Sequence, residues 1–154
     1  MKVIFLDIDG VLNNGEDVCK TEKINGVVGV NKSNLKQLKK LVSLTDAKIV
    51  LTSTWKADYK EQDDFGIYLK NKLESNGLSV FSCTEDKIYN RGKGIVDYLS
   101  HHFEITNFVI IDDDMFDDYS SLGLLDCLVK TDYCDGLTKE KVKQAVNILG
   151  KKSK

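Results

Sequence analysis

The chain of 154 residues contains no proline, two histidines, one tryptophan and four cysteines. Without proline, its turns rest on glycine, asparagine, aspartate and serine. Cys19, Cys83, Cys127 and Cys134 are scattered and form no C-x-x-C pair, and the histidines are too few to complete a usual zinc set. The thiols read as small apolar side chains in a reducing compartment. Charge of one sign is also missing. The 22 basic and 24 acidic residues leave a net charge of −2, so no general basic field points to nucleic acid and no acidic run suggests a disordered tail. No apolar run approaches membrane-spanning length, and the run at the start is broken by Asp7, so it reads as a strand and not a signal peptide. The expectation is a cytoplasmic protein with no membrane partner.

The length suits one domain over residues 1–154 with a sizeable core. Val3–Leu6 reads as a buried strand, and residues 13–30 as a polar, glycine-dotted flap with a short hairpin around Val27–Val30. Asn31 or Ser33 caps a helix whose Leu35, Leu38, Leu41 and Val42 recur at helical spacing. Lys48–Thr52 is a second strand, Ala57–Asn76 a helix and Leu78–Cys83 a short strand. A polar connection over Thr84–Asn90 leads to a helix over Gly92–Phe103, with Phe103 on its apolar side. Phe108–Ile111 is the fourth buried strand and Cys127–Lys130 a short last one. Thr138–Leu149 is a closing helix, with Gly150 placed to end it and a frayed tail after it. Strands alternating with helices imply an α/β fold with a mainly parallel sheet covered on both faces.

Four polar clusters fall at strand ends or helix starts: Asp7/Asp9, Thr52/Ser53, Arg91/Lys93 and Asp112/Asp113/Asp114. In a parallel sheet the strand ends share one edge, where ligands bind, so the clusters should converge. Two acid clusters make an oxygen cage suited to Mg²⁺. A hydroxyl and a cation beside it are what a phosphoryl group requires. Asp7, ending its strand, is the candidate nucleophile. Asp9, in the turn, can protonate a leaving alcohol and then deprotonate water. A calcium loop is excluded, because an EF-hand counted from Asp7 would need glycine and glutamate where Leu12 and Val18 stand.

These stretches resemble the haloacid dehalogenase (HAD) superfamily. Val3–Leu12 resembles its first motif, Ile49–Ser53 its second, Arg91-Gly92-Lys93 its third and Val109–Asp113 its fourth. The Ser-Thr-Trp ending at Trp55 and the Asn90-Arg91-Gly92 run are most similar to the small HAD domains grouped with Swiss Army Knife RNA-repair proteins. The resemblance implies a Rossmannoid three-layer sandwich without a large cap domain and Mg²⁺-dependent phosphomonoester hydrolysis through an aspartyl-phosphate. It implies metal binding by the Asp7 side chain, the Asp9 carbonyl and Asp112, with Asp113 close by. Thr52 or Ser53 holds the phosphate, Thr52 being preferred as the residue directly after the apolar strand. For the third motif, Lys93 is preferred as the lysine opening the helix, whereas the finer resemblance favours Arg91. Asp114 and Asp117 remain outer-shell or solvated residues.

The flap at 13–30 leaves no room for a large cap, so the site should be open to a small molecule, a nucleotide or a nucleic-acid end. Trp55 reads as core or loop packing ahead of a substrate platform. The competing reading is a phosphoacceptor or phosphate-binding signalling domain without turnover. In a two-component receiver the acid pair comes first, the acceptor aspartate mid-chain and the lysine last. The order here, with the acid run after the lysine, favours HAD.

Overall fold

Lys2–Leu6 forms strand β1, and its Val3, Ile4, Phe5 and Leu6 are fully shut off from water. Alternation sends Ile4 and Leu6 into one apolar layer and Val3 and Phe5 into the other. Burying such a side chain is worth roughly 1.5–3 kcal/mol. A one-residue slip would exchange the two faces, so the register is firmly held. The computed structural model describes residues 1–85 and 90–151.

Two short strands, β2 (Lys23–Ile24) and β3 (Val27–Val28), pair antiparallel within the 13–30 segment. The hairpin therefore precedes the expected position, because Asn25-Gly26 supplies its turn. Both residues have positive φ, 49° and 86°, as a tight primed turn demands. Helix α1 (Lys32–Thr45) is capped by Asn31, whose side chain accepts from the amides of Ser33 and Asn34, and it ends at Asp46 in the left-handed region. Strand β4 (Lys48–Leu51) follows.

The helix expected over Ala57–Asn76 is two helices, α2 (Lys56–Glu61) and α3 (Asp64–Glu74). Gln62 turns left-handed, and Asp63 restarts the helix by accepting from the amides of Phe65 and Gly66. Gly66 permits the break, because a Cβ there would sit 2.0 Å from the Asp58 carbonyl oxygen. Periodicity alone does not detect such a corner, since Tyr59 before it and Phe65, Leu69 and Leu73 after it all pack against the core.

Strand β5 (Val80–Cys83) leads toward helix α4 (Arg91–Ser100). The connection expected at Thr84–Asn90 lies, at 86–89, outside the described residues, as do tail residues 152–154. Helix α4 stops before Phe103, which is 89 % exposed and so does not join the apolar side. After β6 (Asn107–Asp112) comes a short helix absent from the sequence reading, α5 (Asp117–Ser121), and then a 3₁₀ turn at Leu125–Cys127 and β7 (Leu128–Lys130). Helix α6 (Lys139–Gly150) is capped by Thr138. Gly150 is its last residue and Lys151 leaves in an extended conformation, so no left-handed glycine ends it.

The five-stranded sheet runs β5-β4-β1-β6-β7, with every pairing parallel. Helices α1, α3 and α6 supply one apolar layer, with Leu35, Leu38, Leu69, Leu73, Val142 and Ala145. Helices α4 and α5 supply the other, with Ile95, Tyr98 and Tyr119. The result is the three-layer α/β sandwich expected. The chain builds outward from β1 to β4 and β5, then returns to β6 on the other side of β1. That reversal opens a crevice between β1 and β6, where an open α/β sheet takes its ligand. No helix among the described residues is long and apolar enough to cross a membrane.

Asn34 ties the far side of this edge together. Its amide donates to the carbonyls of Asp135 (2.9 Å) and Leu137 (3.2 Å), and its carbonyl accepts from Asn14 Nδ2 (2.8 Å). Asn34→Leu strands the buried Leu137 carbonyl and Asn14 amide, each at a cost of about 1–3 kcal/mol. With two groups stranded, the expected result is a melting temperature lower by roughly 4–24 °C, read by scanning calorimetry, at about 2–4 °C per kcal/mol for a chain of this size.

Candidate active site

The register brings the polar clusters together. Leu6 lies opposite Leu51 and Ile111. The next residues out are Asp7 after β1, Thr52 and Ser53 after β4, and Asp112, the last residue of β6. Asp7 N donates to Ile111 O at 3.0 Å, and Thr52 N to Leu6 O at 2.9 Å, so the ladder continues to the site itself.

Asp7 and Asp112 are both buried, and Arg91 answers them. Its Nη1 lies 3.0 Å from Asp7 Oδ1 and 2.7 Å from Asp112 Oδ2. Arg91 is itself buried, with its guanidinium 4.5 Å from the centre of the Phe116 ring. Asp112 also accepts from Tyr119 Oη (3.2 Å) and Asp114 N (3.0 Å). Burial, and then the neighbouring Asp112 charge, push the Asp7 carboxyl up to about 7. Arg91, a hydrogen bond from the Ser53 hydroxyl and one from the Ile8 amide pull the other way. Burial raises Asp112 and Asp113 as well, Asp113 further through Asp112 and Asp114. Burial pulls the Arg91 guanidinium down, but Asp7 and Asp112 outweigh it and keep it charged.

Asp9 stands apart. Its side chain is exposed and turned to other partners, accepting from Asn13 Nδ2 (2.8 Å) and Trp55 Nε1 (3.0 Å). Gly10 turns the chain after it, with φ of 66°. A Cβ at Gly10 would lie 2.1 Å from Asp113 Oδ2, so glycine is required by both conformation and space. The Gly10 carbonyl accepts from Thr131 Oγ1 at 2.8 Å, which links the turn to the end of β7.

The members of the two pairs that the sequence left open, Arg91/Lys93 and Thr52/Ser53, meet different surroundings. Arg91, not Lys93, reaches the acids. Residues two apart on a helix point to nearly opposite sides, so a buried Arg91 leaves Lys93 exposed. Lys93 instead borders a groove of about 800 Å³ with Asp97, Tyr98 and His101. Ser53, rather than Thr52, bonds the Asp7 carboxylate. The Thr52 hydroxyl is buried and bonds no described group. Trp55 packs as expected, edge-on to Phe65 at 5.8 Å. Asp114 is exposed and caps its own turn, with Oδ1 accepting from Met115 N. The side chain of Asp117 lies outside the described ones.

The sequence reading missed the supports. Asp118 on α5 accepts from the Lys93 amide at 2.8 Å, capping α4 from outside, while Gly92 leaves room for its carboxylate. Its neighbour Tyr119 holds Asp112. Asn13, Thr131 and the Trp55 N–H were likewise unassigned. The one available signal was the D-D-Y run at Asp117–Tyr119, too short to stand out from solvated loop.

Ligand atoms of Asp7, Asp112 and Asp113 lie within 4.8 Å of one another. Three carboxylates and one guanidinium leave two negative charges, and all the donors are hard oxygens. That set fits a divalent cation such as Mg²⁺.

Fold and site together define an α/β domain of the HAD type, built around an aspartate at the end of its first strand. The chain belongs to the family described as HAD domain in Swiss Army Knife RNA repair proteins, whose model matches residues 3–142. Membership suggests a phosphatase-type hydrolase, and the family typically uses Mg²⁺. No match is found among curated proteins or solved structures.

The raised carboxyl makes stability depend on pH. Asp7 titrates at about 7 when folded against an ordinary 3.8. Between those values the folded form holds more protons than the unfolded one, so metal-free stability falls as pH rises through that window. With EDTA, the melting temperature should drop from pH 5 to pH 8, and Mg²⁺ should raise it more at pH 8 than at pH 5. Asp7→Asn should flatten both trends. A melting temperature that rises with pH in EDTA would contradict this.

Proposed function

We propose that this protein is a Mg²⁺-dependent phosphomonoester hydrolase acting through an aspartyl-phosphate on Asp7. The observation that carries this reading is the Asp7 carboxylate at the end of β1. It is held by Arg91 and Ser53, with the oxygens of Asp112 and Asp113 within 4.8 Å.

Mg²⁺, held by Asp7, Asp112, Asp113 and the Asp9 carbonyl, would offset the negative charge of an incoming phosphate. An Asp7 oxygen forms the new bond to phosphorus as the ester P–O bond breaks. Asp9 gives its proton to the departing alkoxide. Asp9, now ionised, takes a proton from water as that water attacks phosphorus, and the bond to Asp7 breaks to release phosphate. Arg91 favours the anionic form of Asp7 and holds it close to Asp112. The Ser53 hydroxyl orients Asp7, and the unpaired Thr52 hydroxyl is free to meet a phosphoryl oxygen.

The substrate class follows from access. Residues 13–30 contribute turns and one hairpin of two-residue strands, which supports an open site. The family description, with its RNA repair proteins, favours a nucleotide or nucleic-acid end over a small metabolite.

The test is phosphate release from p-nitrophenyl phosphate, nucleotides and 5′- or 3′-phosphorylated oligonucleotides. Release should need Mg²⁺ and fall to background in Asp7→Asn, because a carboxamide is no nucleophile. Asp9→Asn should turn over slowly and accumulate an acyl-phosphate. Arg91→Ala should lose most activity while Lys93→Ala keeps most of it. An Asp7→Asn protein as active as wild type would overturn the mechanism.

A further inference from the structure

The one tryptophan of this chain is spent on Asp9. Trp55 is only 5 % exposed, yet its indole N–H does not end among apolar neighbours. It donates to Asp9 Oδ2 at 3.0 Å, across 46 residues of sequence. The other carboxylate oxygen, Oδ1, accepts from Asn13 Nδ2 at 2.8 Å. Asn13 is itself buried and fixed, because its Oδ1 accepts from the Gly10 amide at 2.9 Å. Asp9 is exposed and lies beyond the end of β1. The sheet alone would leave its carboxylate free to rotate.

We propose that Trp55 is a positioning residue: its indole N–H, paired with the Asn13 amide, fixes the Asp9 carboxylate where it gives and takes the proton of the reaction. This rests on the phosphatase reading above. The donor chemistry supports it. Neither the indole nitrogen nor the amide nitrogen can accept a proton. Each carboxylate oxygen keeps a second lone pair, so a proton carried by Asp9 can pass to the leaving group or to water but not to its holders. The indole has its own supports. It meets the Phe65 ring edge-on, and the Trp55 amide donates to Ser53 Oγ at 3.3 Å. Ser53 also bonds Asp7. Residues 53–55 thus address both aspartates, the nucleophile through a hydroxyl and the proton carrier through an indole.

Because Trp55 is the only tryptophan, the whole protein can be made in a tryptophan auxotroph with β-(benzo[b]thienyl)alanine, which keeps the ring shape and replaces N–H by sulfur. The substituted protein should keep its melting temperature. With an alkyl phosphate, whose leaving group needs a proton, kcat should fall at least about tenfold, within the range general acid–base catalysis supplies. With p-nitrophenyl phosphate, whose leaving group needs none, the first turnover should stay fast and later ones slow. The result is a burst larger than that of wild type and a trapped aspartyl-phosphate. Trp55→Phe provides a second variant and a cycle with Asp9→Asn. If Trp55 acts through Asp9, removing it from Asp9→Asn costs no further activity, whereas a packing role would cost the same factor in both backgrounds. A first p-nitrophenyl phosphate turnover slowed as much as that of the alkyl phosphate, an additive cycle or unchanged kinetics would each overturn the proposal. A wild-type protein without Mg²⁺-dependent release would instead sink the phosphatase reading, which separates the two failures.

Discussion

The arginine held between two buried aspartates is the interaction on which the rest of this site depends. Asp7 and Asp112 stand at the ends of adjacent strands, and parallel pairing forces them together. Two buried carboxylates at that distance repel and lose their water. The Arg91 guanidinium contacts both, at 3.0 and 2.7 Å, so each carboxylate has a charged partner. A helix must then begin where its first residue can point into the sheet edge, which accounts for the close approach at Gly92 and the external cap from Asp118. The short helix α5 serves two purposes at once. Asp118 sets the start of α4, and Tyr119 donates to Asp112.

One arginine leaves the cluster short of positive charge. Asp113 adds a third carboxylate, and its place against Gly10 shows how closely the first and fourth motifs are packed. The raised Asp7 carboxyl expresses the same shortage, since a proton is the simplest remedy when no cation is bound. Asp9 differs in being exposed, with its carboxylate held by the neutral donors Trp55 and Asn13. Two aspartates separated by one residue thereby meet different surroundings, one buried against charge and one exposed to neutral donors, and this suits them to different chemistry.

Much of this was legible in the sequence. Apolar strands ending in Asp7, Thr52 and Asp112 report their own depth, because a buried strand has no other use for four apolar residues in a row. Parallel alternation then brings their ends to one edge. Other features were illegible for specific physical reasons. The break at Gln62-Asp63 keeps helical spacing on both sides. Phe103 looks like core by composition, but the helix ends three residues before it. The choice between Arg91 and Lys93 turns on where the first helical turn begins, and that is set by Asp118, 27 residues after Arg91. Ser53 and Thr52 differ by one step along the chain, which reverses their direction.

By itself the sequence determined the parallel α/β architecture, the convergence of acids, hydroxyls and a cation on one edge, and the family. Those depend on local periodicity and on residue types at strand ends, both written in short stretches. Only the tertiary structure decided which hydroxyl and which cation meet Asp7, and that Trp55 and Asn13 hold Asp9. Those outcomes depend on side-chain direction and on contacts between residues far apart in the chain. The indole N–H on Asp9 spans 46 positions, and the folded geometry alone brings the two together.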